Sequence, residues 1–226
     1  MLEQPVPLPA PLARRGVALW QVGLDTADPD MAPSMLGPRE LQRWQALRCP
    51  RAAAAYLRLR ASLRRLLLRH GGIDIAGRSL AYGPHGKPSL PAGGPPWFNL
   101  SHSGGQACIA LSTQAEIGVD IERHTPAMPP AFPAAGGVFT AHERAHMARN
   151  GASGFYRIWT RKEAVLKALG LGFATDARMF CVAPPPIEGC DGALCATTRL
   201  WSIASIAGCS VAVACIEPTA ERRPSQ

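Results

Sequence analysis

Trp159-Thr-Arg-Lys-Glu-Ala-Val-Leu-Lys-Ala-Leu-Gly170 is a run of good helix formers closed by a glycine, and it carries Glu163 and Lys167 four residues apart. One helical turn separates them, so a carboxylate and an ammonium share one face. Alone, the pair reads as a surface ion pair on an amphipathic helix, the ordinary fate of a Glu-x-x-x-Lys. Two upstream stretches change that reading: Phe98-Asn-Leu-Ser-His-Ser-Gly-Gly105 and Gly118-Val-Asp-Ile-Glu122.

In Gly118–Glu122 the apolar Val119 and Ile121 alternate with Asp120 and Glu122, the period of a strand with one buried face. Both carboxylates then leave the same side, one pleat apart. Two hard oxygen ligands at that spacing suit Mg²⁺, which takes a few carboxylates, waters and the oxygens of a diphosphate. The competing reading is a solvent face carrying two acids, with Arg123 as a simple ion-pair partner for Glu122. In Phe98–Gly105 a strand runs into small residues whose N–H groups can approach an anion, beside the hydroxyls of Ser101 and Ser103 and the imidazole of His102. A Ser–His hydrolase dyad is disfavoured there, because adjacent strand residues point to opposite faces and no Gly-x-Ser-x-Gly elbow is present. A structural histidine is the remaining alternative. Gly86-Lys87-Pro88 sets one lysine on a stiff turn but lacks the form of a nucleotide-binding P-loop. Together these stretches supply what phosphoryl-type chemistry on a diphosphate requires.

The rest of the chain sorts around them. Gly16–Leu24 has the mix of an opening strand, Leu36–Leu47 begins a helix with Pro38 in its first turn, and Arg51–His70 continues as a second helix ended by Gly71-Gly72. The second helix holds arginines 51, 58, 60, 64, 65 and 69 around its axis, most of them expected in solvent. Short strands are expected at Leu80–Tyr82, Phe98–Leu100, Ala107–Ser112 and Ile117–Glu122, and a Pro/Gly-rich segment, Thr125–Gly137, as a loop over or beside the site. Thr140-Ala-His-Glu143 has the form of a capping box opening a helix to about Asn150, which Gly151 breaks before the helix of Glu163 and Lys167. Met179–Val182 and two strands between about Thr198 and Glu217 complete a β-rich end. The order strand, helices, strands occurs twice, which suggests an α+β fold of two pseudo-symmetric halves, 16–113 and 114–217, between flexible tails at 1–15 and 218–226.

Composition sets bounds. A chain of 226 residues with 47% apolar and 18% charged residues reads as globular, and a formal charge of +8 implies polyanionic company without choosing its kind. The seven cysteines form no Cys-x-x-Cys pair and read as reduced, mostly buried thiols of a cytoplasmic protein. The start, Met-Leu-Glu-Gln-Pro-Val-Pro-Leu-Pro, lacks the pattern of a signal peptide, and Ile203–Ile216 is too short to span a bilayer.

Gly86-Lys87-Pro88, Phe98–Ser103, Gly118–Glu122, Phe139-Thr-Ala-His-Glu143 and Trp159–Ala164 with Lys167 and Gly170, in this order, resemble the 4′-phosphopantetheinyl transferases, specifically the long, surfactin-synthetase-activating branch with two similar halves in one chain. The resemblance implies transfer of the phosphopantetheine arm of coenzyme A to a serine of an acyl or peptidyl carrier protein, with release of adenosine 3′,5′-bisphosphate. It makes Asp120, Glu122 and Glu163 the acidic residues around Mg²⁺, Glu163 also the general base, and Lys167 the cation at the scissile diphosphate. It assigns Lys87, Ser101 and His102 to coenzyme A phosphates, with Arg43, Arg51 and Arg60 as further basic contacts. Where several relatives carry another basic residue near position 55, Ala52–Ala55 is all alanine here. An acidic carrier partner, a monomer, no membrane and no nucleic acid complete the expectation. The alternatives are a coenzyme A-binding relative without catalysis and a basic nucleic-acid module, the latter resting on charge alone, since aromatic content is 6%.

Overall fold

The computed structural model describes residues 3–26, 28–125, 137–172, 176–184 and 197–217. The expected loop 125–137 lies almost wholly outside them, as do the tail 218–226, Cys190 and Cys195.

Strand alternation builds four layers. β1 (Glu3–Pro5) and β2 (Val17–Gly23) join β5 (Trp97–Ser103) and β6 (Gln106–Ser112) in an antiparallel sheet of order β1-β2-β6-β5. β7 (Glu116–Arg123), β8 (Thr198–Ile203) and β9 (Cys209–Ile216) form a second antiparallel sheet, order β7-β9-β8. Leu19, Cys108 and Ala110 of the first sheet pack with Ile117, Val119, Ile121 and Val213 of the second. The alternate residues face outward onto helices: Trp20, Val22 and Ile109 onto α3 (Pro50–Gly71), Ala212 and Ala214 onto α4 (Ala141–Leu169). With both faces of each sheet covered, the strands are almost continuously apolar. α1 (Ala10–Ala13), α2 (Pro38–Gln45) and a hairpin of β3 (Ala81–Tyr82) with β4 (Pro88–Ser89) complete the first half of the chain. Among the described strands, β2, β5, β6 and β7, β8, β9 share one connectivity, the first strand pairing with the third and the third with the second.

Local signals act as read. Thr140 Oγ1 accepts from Glu143 N at 3.2 Å while Thr140 N donates to Glu143 Oε2 at 2.8 Å, a reciprocal capping box. Gly151 leaves helical geometry at φ 58°, ψ −143°, kinking α4, and Gly170 ends the helix in the left-handed region at φ 70°.

Three expectations are corrected. The start of the chain is not loose: Glu3–Pro5 pairs with β2, and buried Glu3 is held by Arg65 at 2.6 Å. The arginines of α3 are not mostly solvated, because Glu40, Glu3 and Asp28 draw Arg64, Arg65 and Arg60 inward and Arg58 is buried as well. Met179–Val182 is not a strand. Three of its backbone groups bond side chains instead of a neighbouring strand, Val182 N to Glu143, Val182 O from Arg161 and Phe180 O from Lys162. The competing reading of β7 as a solvent face fails at Asp120, which is 3% exposed, and at Gly118, both beneath α4.

Gly118 explains that last point. A Cβ there would stand 2.1 Å from Ala164 O and 2.3 Å from Ala168 N, so the helix backbone rests directly on the strand. Gly118→Ala is expected to cost about 2–3 kcal/mol, since the clash is with backbone that no rotamer change relieves. Urea unfolding of the variant measures it.

Candidate active site

β5 and β7 are adjacent without a shared ladder, and side chains of period two join them. Asn99 Oδ1 accepts from Val119 N at 3.0 Å, Ser101 Oγ donates to Asp120 Oδ1 at 2.7 Å, and Ser103 Oγ donates to Glu122 Oε2 at 2.7 Å. Alternation sends residues 99, 101 and 103 to this seam, whereas Phe98 and Leu100 pack toward α3. Asp120 is 3% exposed, and α4 lays Lys167 across it, Nζ 2.6 Å from Oδ1 and 3.0 Å from Ser101 Oγ. Glu163 Oε2 stands 4.0 Å from the same ammonium, and Trp159, one turn earlier, donates Nε1–H to Glu122 Oε1 at 3.3 Å. Asp120, Glu122, Glu163, Lys167 and Ser101 therefore meet at the seam of the two sheets.

Electrostatics there are tense. Burial raises the Glu163 carboxyl to about 7, opposed by Lys167 and reinforced by Asp120 and Glu122. Burial also lifts Asp120 above the usual range, although Lys167 and Ser101 favour its charged form. His102 is held below its ordinary value by burial first, then by Lys167 and Arg60. Asp120 Oδ2 is buried without a hydrogen-bond partner, on a carboxyl that Glu122 also repels.

The expected three-carboxylate cage is not assembled. Among the described residues no three of His, Cys, Asp and Glu are grouped to hold a metal, because Lys167 occupies Asp120 while Ser103 and Trp159 hold Glu122. Asp120, with its unpartnered Oδ2, and Glu122 are a set that fits a cation completing its shell with substrate and water oxygens.

Clefts with shared walls run past this centre. One of about 460 Å³ is lined by Arg39, Arg43, Tyr56, Arg60 and Tyr82. The next, about 290 Å³, shares Arg60 and Gly86 and adds Lys87, Asn99, Glu163 and Lys167. A third, about 390 Å³, shares Lys87 and is otherwise walled by residues such as Leu90, Trp97, Leu169 and Leu171. Arg60 lines both of the first two clefts, with Glu40 Oε1 lying 3.6 Å from its Nε. The structure thus brings Arg43 and Arg60 together and leaves Arg51 apart, exposed and paired with Asp25. Lys87 points its ammonium at Glu116 and the Ala168 carbonyl.

Sequence reasoning did not single out Arg39, whose guanidinium lies 4.3 Å over Tyr82, or Ser103 and Asn99 as bridges to β7. Arg39 stands four residues before Arg43, and Asn99, Ser101 and Ser103 repeat at period two, so both signals were in the sequence.

A model of the 4′-phosphopantetheinyl transferase superfamily matches residues 116–214. A Synechocystis sp. protein, provisionally named 4′-phosphopantetheinyl transferase slr0495, is 34% identical over 165 residues, 68% of this chain and 66% of that protein. The 4′-phosphopantetheinyl transferase AcpT of Salmonella typhimurium is 43% identical over 95 residues, 40% of this chain and 49% of its own length. The 4′-phosphopantetheinyl transferase HetI of Nostoc sp. is 29% identical over 210 residues, 88% and 86%. The chain thus spans about half to two thirds of the first two relatives.

Proposed function

We propose that this chain, whose residues 116–214 match the model of the 4′-phosphopantetheinyl transferase superfamily, transfers the phosphopantetheine arm of coenzyme A to a serine of an apo acyl or peptidyl carrier protein. Adenosine 3′,5′-bisphosphate leaves. The observation that carries the reading is that Lys167, which lies on Asp120 and 4.0 Å from Glu163, lines one cleft together with Glu163 and Arg60. The repeated strand connectivity supports two pseudo-symmetric halves in one chain.

In this reading Arg43 and Arg60, with Arg39 beside them, take phosphate of the nucleotide end, and Ser101 and His102 are further contacts to coenzyme A phosphates. Asp120 and Glu122 would hold Mg²⁺, which when bound lowers the charge of the diphosphate and fixes it for in-line attack. Glu163, raised to about 7, takes the proton of the carrier serine as its oxygen bonds to the phosphorus bearing the pantetheine arm. The bond from that phosphorus to the nucleotide phosphate oxygen breaks, and Lys167 balances the charge on the departing bisphosphate. The free thiols of the five described cysteines fit a cytoplasmic setting, and no described helix is long and apolar enough to cross a membrane.

Intact mass of an apo carrier protein after incubation with the protein, coenzyme A and Mg²⁺ tests this. A gain of one phosphopantetheine group, abolished by EDTA, is expected. No gain with several carriers while coenzyme A binds would favour a relative that has kept the cofactor site alone. At +8, attraction to an acidic carrier is screened by salt, so kcat/KM for the carrier is expected to fall roughly tenfold from about 50 to about 500 mM KCl.

A further inference from the structure

Lys87 lies where a lysine could reach phosphate, yet its ammonium is committed elsewhere. It pairs with Glu116, the first residue of β7, and donates to the carbonyl of Ala168 at 2.8 Å. Ala168 is in the last turn of α4, whose terminal carbonyls have no partners within the helix. A cation there also complements the negative end of the helix dipole. The lysine stem runs against the turn that ends the helix: a Cβ on Gly170 would meet Lys87 Cδ at 3.5 Å. Gly170 N and Leu171 N close that turn onto Lys167 O and Leu166 O. One side chain from the Gly86–Pro88 turn therefore reaches the helix end immediately beyond Lys167, and Glu116 fixes its direction.

From this geometry we infer that Lys87 and Glu116 are positioning residues, a strut that sets the C-terminal turn of α4 and through it Lys167, with Lys87 held off the phosphates. The inference deepens the transferase reading and rests on it for its kinetic consequences, while its structural part stands independently. It departs from the role the sequence resemblance implied for Lys87. Burial lowers the lysine and Glu116 opposes that shift, in keeping with an ammonium that needs its partner.

Two variants of the full chain, Lys87→Met and Glu116→Ala, separate the readings through amide hydrogen exchange and kinetics. A strut predicts that the amides of Gly170 and Leu171 exchange about fivefold faster in both. It predicts that kcat falls about tenfold with KM for coenzyme A within about twofold. It also predicts that Glu116→Ala adds nothing in a Lys87→Met background. A phosphate-binding Lys87 predicts the opposite pattern: Lys87→Met raises KM for coenzyme A, Glu116→Ala lowers it by freeing the ammonium, and exchange at the helix end is unchanged. That pattern overturns the inference. If the wild-type chain transfers nothing, the exchange result still decides the strut, and the functional reading alone has failed.

Discussion

Glu163→Gln is expected to reduce phosphopantetheine transfer about 10²- to 10⁴-fold and, in the metal-free protein above pH 7, to raise the unfolding midpoint. The first effect follows from losing the proton acceptor for the carrier serine. The second follows from linkage. The carboxyl is raised from 4.5 to about 7, chiefly by burial, so between those values the folded chain binds more protons than the unfolded one. Metal-free stability therefore declines as pH rises through that window, and a neutral amide removes the penalty, on the order of 2 kcal/mol above pH 7. Lost function with gained stability marks a site held in tension for its chemistry. The pH profile gives a further check: kcat/KM should fall on the acid side as Glu163 protonates, and the residual activity of the variant should lack that limb. A variant retaining more than about a tenth of wild-type transfer would remove Glu163 as the base.

Lys162→Ala is expected to destabilise the fold by about 3–5 kcal/mol, although Lys162 is the immediate neighbour of Glu163. Lys162 and Glu143 are each 0% exposed, 2.9 Å apart. The ammonium also donates to Ala177 O at 2.6 Å and Phe180 O at 2.9 Å, and it lies 4.7 Å from the centre of the Phe180 ring. Glu143 in turn accepts from Thr140 N and Val182 N, each at 2.8 Å. The pair thus ties the two parts of the kinked helix together and supplies the backbone partners of residues 177–182. Removing the lysine leaves a buried carboxylate uncompensated. Denaturant unfolding should show the loss, and Glu143→Gln combined with Lys162→Met should cost less than the sum of the single changes, because together they remove both charges.

The two lysines show where the sequence stops. Lys162 and Lys167 stand on one helix five residues apart, with nothing local to say that one is a buried tie and the other lies on Asp120. What the sequence determined by itself was whatever acts within a few residues: the period-two strands, the capping box of Thr140 and Glu143, the break at Gly151, the stop at Gly170, and the shared faces of Asp120 with Glu122 and of Glu163 with Lys167. These follow from backbone geometry and capping, whose partners are near in the chain. Only the tertiary structure decided that Asp120 of β7 lies under α4 through Gly118, that Ser101 and Ser103 bridge to that strand from β5, that Arg64 is buried beside Arg60, and that Lys87 faces Glu116. Each depends on which layers meet and how closely, and burial then sets which charges must pair, a balance of desolvation and partner geometry that sequence spacing does not carry.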